Sequence, residues 1–438
     1  MDNILAQDVL SNLPDAIIQH ILVHMPIRDA VRTSILSRGW RYKWATIPTL
    51  EFDYRCIPTS SSKEDPLVKM EKFVNFVARA LLLHTGPIDR FKISHSCQLR
   101  SCSDIDQWIV FLSRNGIKEF VLEMWYCRDQ EQQFVVPSSL FTCQNLRMLK
   151  LRNCVFIPPP TFKSFPCLRT LWLQCVTCTD DIMRSLITSC TLLEKLFIKD
   201  IHGLSSLQVY GPNLKYLNVW GEFIEIFIQH SPLLVDAKFS LFYHPKIRNA
   251  DQNCISMWPL VFDSLIHLEK LYLHGMWWFS SYGDHIPERL PTTLIYLKNL
   301  DLCIAFHRSS EILTALCLIR SSPNIQLLKI RSESLVGFNT EHPSDDMDFW
   351  EMQCHLGCSL NQLQIVIMKD VHGLVHELQL IKFILGRSPM LKTMTVIPFH
   401  VSESLKDCAD KYIKEEHMLI ELVRFKRVST QAEIIYVK

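Results

Sequence analysis

The chain has 438 residues, and its 46 basic and 45 acidic side chains leave a net charge of +1. So even a balance supplies no long-range field of one sign, which argues against nucleic acid or an anionic membrane as a charge-recruited partner. No apolar run reaches the length that spans a bilayer, and the opening MDNILAQDVLSNLPD lacks the basic and apolar blocks of a secretion signal. The 16 cysteines are therefore read as reduced thiols of cytoplasm or nucleus.

Residues 13–44 predict three short helices. Pro14 and Asp15 suit a first helical turn, and Ile17, Ile18, Ile21, Leu22 and Met25 recur at helical spacing until Pro26. Asp29 opens a second helix with Ala30, Val31, Ser34 and Ile35. Ser37 is expected to cap a third, placing Trp40 and Trp44 at i, i+4 on one face. Helices this short cannot bury so many large apolar groups among themselves, so part of that surface calls for a partner.

Residues 55–66 are polar and proline-bounded, a linker. A helix follows over 67–83, with Phe73, Phe76, Val77, Ala80 and Leu81 on one side, then a strand over 91–94. Asp104 can cap a helix holding Trp108, Ile109 and Leu112, ended by Asn115-Gly116, before a strand over 120–122. These helices are expected to cap the first edge of the body built by the rest of the chain.

From residue 140 a leucine-rich repeat line becomes explicit. It reads Leu146-x-x-Leu149-x-Leu151-x-x-Cys154 and recurs from Leu168, Leu193, Leu214, Leu268 and Leu297, with weaker copies from Leu234, Ile325, Leu363 and Leu391. Pro166, Pro212, Pro232, Pro323 and Pro389 each fall two residues before a copy. There, proline would stop a preceding helix and preset an extended approach to the strand. The copies predict parallel strands about 4.8 Å apart in an irregular α/β solenoid, with a concave sheet long enough for a protein ligand. After Ser402, a helical pattern over 407–421 and two apolar runs, 425–428 and 434–437, predict a closing hairpin.

Leu13-Pro14-Asp15, Ile21-Leu22, Met25-Pro26, Ala30, Thr33-Ser34, Leu36-Ser37, Trp40 and Trp44 together resemble the F-box of plant F-box proteins. Gly39 stands where that family usually has Lys or Arg, and glycine inside a helix costs about 0.5–1 kcal/mol relative to alanine. Residues 363–368, 377–385 and 388–396 resemble the FBD region of plant F-box/leucine-rich-repeat proteins, read physically as strand, helix and strand. The resemblance implies an F-box over 8–54, repeats over 67–350, an FBD region over 351–400 and a tail over 401–438. It implies docking of an Skp-type adaptor, and through it a cullin-RING ubiquitin ligase, by Leu13, Pro14, Ile17, Ile18, Ile21, Leu22, Leu36, Trp40 and Trp44. The concave face would hold a target protein.

The remaining motifs add no chemistry of their own. Cys175-x-x-Cys178, with Cys167 and Cys190 nearby, is the best metal candidate but lacks the second dyad of a zinc site, as does Cys354-His355-x-x-Cys358. His202-Gly203 and His372-Gly373 read as turns, and no phosphate loop, zinc-protease or nucleophile-elbow motif occurs. Trp277-Trp278-Phe279 is a buried cluster or a binding hot spot. The expectation is a non-catalytic ligase subunit with no cofactor and no metal. The alternatives are an interaction module outside ubiquitination and a hormone-like small-molecule receptor.

Overall fold

An L-x-x-L-x-L line commits its last two apolar residues to one face of a strand, because side chains alternate along extended backbone. A computed structural model places every copy in this way. It describes residues 13–57, 65–96, 103–125, 133–242, 265–275, 286–333, 347–357, 359–399 and 415–437. They fall into two units, residues 1–204 and 205–438.

The first unit opens with α1 (Asp15–Val23), α2 (Ile27–Arg32) and 3-10 turns at Thr33–Ile35 and Lys43–Thr46. There follow β1 (Thr49–Asp53), α3 (Pro66–Leu83), β2 (Arg90–Ser96), α4 (Ser103–Arg114), β3 (Glu119–Trp125) and the short β4 (Phe134–Val135). Next come β5 (Met148–Arg152), the short β6 (Cys154–Val155), β7 (Thr170–Gln174), α5 (Asp180–Ser189) and β8 (Lys195–Lys199). Strands β1, β2, β3, β5, β7 and β8 pair in that order, all parallel. Leu50, Phe91, Phe120, Leu149, Leu171 and Leu196 lie side by side along the ladder, none more than 1 % exposed. Burying each such side chain contributes about 1.5–3 kcal/mol.

Strand β1 corrects the expected cap. The first edge is not closed by α3 and α4, which are crossovers between parallel neighbours; it is β1, within the stretch assigned to the F-box, that pairs β2. Its line is Ile47-x-x-Leu50-x-Phe52, a repeat without leucine at two of its three places. Asp104 likewise sits inside the first turn of α4 and does not precede it.

The second unit contains β9 (Ser206–Tyr210), β10 (Tyr216–Glu222), β11 (Glu225–Gln229), β12 (Asp236–Phe242), β13 (Lys270–His274), β14 (Asn299–Ile304), α6 (Ser309–Arg320) and β15 (Leu327–Ser332). It continues with α7 (Met347–His355), β16 (Ile365–Val371), α8 (Val375–Leu385), β17 (Thr393–Pro398), α9 (Glu415–Arg424) and β18 (Glu433–Tyr436). From β10, β12 and β13 onward these strands pair in parallel through β18. The crossovers into β10 and β12 are strands, not helices: β9 and β11 pair with each other in a separate ladder. Their lines, Leu204-x-x-Leu207-x-Val209 and Phe223-x-x-Ile226-x-Ile228, are buried like those of the main sheet.

The prolines keep their register for a different reason from the one expected. Leu168 N–H donates to Phe165 O at 3.2 Å, Leu214 to Gly211 at 3.0 Å, Leu234 to Ser231 at 3.2 Å, Ile325 to Ser322 at 3.4 Å and Leu391 to Ser388 at 3.3 Å. Each proline is therefore the second residue of a four-residue turn, where its fixed φ fits and its missing N–H costs nothing. Before Pro212 and Pro232 the chain is a strand, so no helix is there to stop. At the other end of the strand, Asn153, Cys175, Asp200, Gly275 and Asp370 adopt φ of 55°, 51°, 49°, 81° and 55°, each two residues after the last apolar residue of its copy.

The predicted closing hairpin is absent among the described residues. Instead α9 crosses over to β18, which lies parallel to β17, because a parallel neighbour requires a crossover element and α9 supplies it. The Trp277-Trp278-Phe279 cluster, Cys358, and residues 58–64 and 400–414 lie outside the described residues.

Two buried glutamates tie strand ends to the helices that follow. Glu377, in the first turn of α8, accepts from Leu374 N–H at 2.8 Å and His372 N–H at 3.0 Å. Glu311, at the same place in α6, accepts from Ala305 N–H at 2.8 Å and Arg308 Nη1 at 3.0 Å. Burial pushes the Glu311 carboxyl up to about 7, against its hydrogen bonds from Ala305 and Arg308. A carboxyl raised on folding binds more protons folded than unfolded. Its stabilising effect is full below the unfolded value of 4.5 and is lost as pH rises through about 7. Between pH 4.5 and 8 this costs up to about 3 kcal/mol. Denaturant titrations at pH 5 and pH 8 should show wild-type stability falling more than that of Glu311→Gln; equal falls would refute the assignment.

Candidate functional site

Helix α1 carries adjacent apolar pairs, and its 3.6-residue turn sends them to different sides. Ile18 and Leu22 turn inward, 2 % and 0 % exposed, while Ile17 and Ile21 stay 47 % and 39 % exposed. The inward side packs on the turn Lys43–Thr46, which also touches α2, and α2 reaches β1. Gln19 Nε2 donates to Thr46 Oγ1 at 3.2 Å, and Asp15 pairs with Lys43 across the same contact. The turn is itself held to the connection between α3 and β2, since Thr85 and Gly86 N–H donate to Ala45 O at 2.8 and 3.1 Å. A Cβ at Gly86 would stand 2.8 Å from the Thr46 main chain, so only glycine allows the approach.

The nine residues expected to dock a partner therefore divide. Ile17, Ile21, Leu36 and Pro14 are exposed and Leu13 is half-buried, joined at the surface by Ile35 at 82 % exposed and by Tyr42. Ile18, Leu22, Trp40 and Trp44 are no more than 4 % exposed. The last four are walled in by this chain's own residues, so they offer little area to another polypeptide and instead form the core behind the outer face. The third helix is also corrected. Residues 38–42 are turns and Lys43–Thr46 is 3-10, so Trp40 and Trp44 are both buried without sharing a helix face, and Gly39 carries no helix-interior penalty. A Cβ there would meet only Ser37 Oγ at 3.6 Å.

The outward positions of the strands form two further surfaces, one in each unit. In the first unit, Glu123 is bridged by Lys150 at 2.6 Å and Lys92 at 3.5 Å. Burial pushes its carboxyl up, but Lys150 and Lys92 outweigh this and hold it below the usual range. Lys150 also stands over Trp172 at 4.7 Å, Trp172 stacks on Phe197 at 4.6 Å, and Arg152 stands over the exposed ring of Trp125 at 4.8 Å. Aromatic rings paired with cations are what protein-binding surfaces favour. In the second unit, Trp220 meets Phe242 at 4.8 Å and Phe242 meets His274 at 6.1 Å, while Tyr272 stands between Lys238 and Asp301 in the ladder. Burial raises the Asp301 carboxyl, opposed by Lys329, Arg331, Lys369 and Lys238. These residues escaped the sequence reading because they occupy the variable places of each line. The one usable signal was an aromatic between two apolar residues, as in Leu171-Trp172-Leu173.

Cys178 and Cys190 are buried, Cys175 takes the left-handed place after β7, and burial pushes the Cys178 thiol up to about 12. Among the described residues no group of His, Cys, Asp or Glu converges as a metal site requires. Among them, too, no helix is long and apolar enough to cross a membrane.

A helical module with an outward apolar face, running directly into parallel leucine-rich strands, defines the F-box leucine-rich-repeat class. Three family descriptions match in order: an F-box domain over 10–50, the leucine-rich repeats of the FBD-associated F-box protein At5g56370 over 105–330, and FBD over 351–396. The chain is 39 % identical over 436 residues to the F-box/FBD/LRR-repeat protein At1g13570 of Arabidopsis thaliana, covering 98 % of this chain and 99 % of that one. It is 27 % identical over 447 residues to At5g56370 itself from the same plant, covering 98 % and 100 %. The chain belongs to the F-box/FBD/LRR-repeat family. F-box domains generally bind Skp-type adaptors, and members of such families are generally non-catalytic.

The division of the F-box residues has a direct check. Trp44→Ala should cost about 3–5 kcal/mol and melt the amino-terminal helices, whereas Ile21→Asp should leave the circular dichroism unchanged and the unfolding free energy within about 0.5 kcal/mol of wild type.

Proposed function

We propose that this chain is the substrate-recognition subunit of an SCF-type cullin-RING ubiquitin ligase, its F-box held by an Skp-type adaptor and its strand faces holding a target protein. The observation that carries this reading is the exposure of Ile17, Ile21, Ile35 and Leu36 in a module whose Ile18, Leu22, Trp40 and Trp44 are buried. Apolar groups gathered at one surface are stabilised only when a second polypeptide covers them. Leu13, Pro14, Ile17, Ile21 and Leu36 then make the adaptor contacts, and Ile18, Leu22, Trp40 and Trp44 hold them in place from behind.

The chemistry asked of the chain is proximity. Holding a target lysine near ubiquitin carried by another subunit turns an encounter between separate molecules into a reaction within one assembly. No nucleophile is needed, and the buried thiols suit that role. Cys143, Cys178 and Cys303 are pushed up to about 12 by burial, which disfavours the thiolate that a ubiquitin thioester would require.

Affinity for purified Skp-type adaptor tests the reading. Ile21→Asp combined with Leu36→Asp should weaken binding by about a hundredfold, since each buries a charge against apolar surface, with the circular dichroism of the chain unchanged. Undiminished binding would end it.

A further inference from the structure

Residues three and four apart on a helix share a side, and the outer side of α1 runs Ile17, His20, Ile21 and His24, all exposed. His24 is the first residue beyond the helix, yet it keeps helical backbone, with φ of −88° and ψ of −1°. It therefore still stands one turn on from His20. The two imidazole rings are neighbours, with 4.7 Å between their centroids.

The hydrogen bond that joins the pair decides which nitrogen is left over. His24 Nδ1 lies 2.7 Å from the His20 carbonyl oxygen. A carbonyl oxygen can only accept, so Nδ1 carries the proton and the neutral ring keeps its lone pair on Nε2. Metal-bound histidines almost always give their second N–H to a backbone carbonyl, a carboxylate or water, which holds the tautomer and the ring orientation. His24 already makes that bond. Metal–nitrogen bonds of about 2.0–2.1 Å require the rings of two ligands to be close, and the i, i+4 spacing brings them together.

Imidazole suits Zn²⁺, Ni²⁺ and Cu²⁺, whereas Mg²⁺ takes oxygen ligands. Among the described residues no third His, Cys, Asp or Glu joins the pair. The grip is thus two-point and open, unlike a closed structural zinc site with four protein ligands. We propose that His20 and His24 form a two-imidazole site for a divalent ion of the zinc type and, on the ligase reading given above, that filling it opposes adaptor docking on the same stripe. A partner that covers Ile17 and Ile21 must also dry the imidazoles beside them. A hydrated dication held there resists this, because burying its charge against apolar surface is costly. The coupling is reciprocal, so a docked adaptor weakens the ion by the same factor.

Calorimetric titration of the full chain with Zn²⁺ and Ni²⁺, with Mg²⁺ as the reference, tests the site. Wild type should bind an ion that His20→Gln and His24→Gln each bind at least about tenfold more weakly, with the circular dichroism unchanged. Both variants keep every cysteine, so the loss is not one of thiolate binding. His267→Gln, at an exposed histidine in the turn before β13, should titrate as wild type does. Equal titration of wild type and the two α1 variants would overturn the site. Adaptor affinity with saturating Zn²⁺ should fall about tenfold for wild type and stay level for the double variant His20→Gln with His24→Gln. No fall in wild type would overturn the opposition to docking. An adaptor that fails to bind the metal-free chain counts against the ligase reading alone, since the metal titration decides the site without it.

Discussion

Registered stacking of apolar side chains from strand to strand governs this molecule. A single repeat exposes the edge of its strand and half of its leucines, and only the next repeat covers them. In the second unit the row Leu217, Ala237, Leu271, Leu300, Leu328, Val366 and Met394 runs unbroken through the ladder, each residue buried. Everything between strands is free to vary so long as the row is kept. Helices, 3-10 turns and even strands serve as crossovers, and the turn before each strand restores the level.

That freedom is where binding chemistry is written. The outward places of the strands are constrained only by solvent and by their neighbours on the same face, so they carry Trp125, Lys150, Trp172 and Phe197 without disturbing the row behind them. The F-box solves the same problem on a helix. One side of α1 closes on the Lys43–Thr46 turn and α2, and the other remains apolar at the surface.

Much of the fold was legible because three apolar places in six residues, repeated with a proline in fixed phase, leave few alternatives. What escaped notice has physical reasons. Strand β1 was missed because Ile47 and Phe52 replace leucines in its line. Strands β9 and β11 were missed because their lines fall between two copies and read as irregular spacing. The proline register is plain in sequence, but helix termination does not account for it; the hydrogen bond closing each turn does. Within α1, sequence could not say which of Ile17 and Ile18 faces inward. Both lie in the apolar stripe, and the choice is made by where Trp44 and the Lys43–Thr46 turn come to rest.

The splice between F-box and sheet has a practical corollary. Because β1 is the outermost strand among the described residues and begins within three residues of the Lys43–Thr46 turn, shortening the chain to residue 54 onward would not yield a clean repeat domain. It would strip β2 of its hydrogen-bonding neighbour and bare Phe91, inviting adventitious strand addition and aggregation at the naked rim. The two modules share one continuous interior, and a cut meant to separate them would have to fall before Ile47.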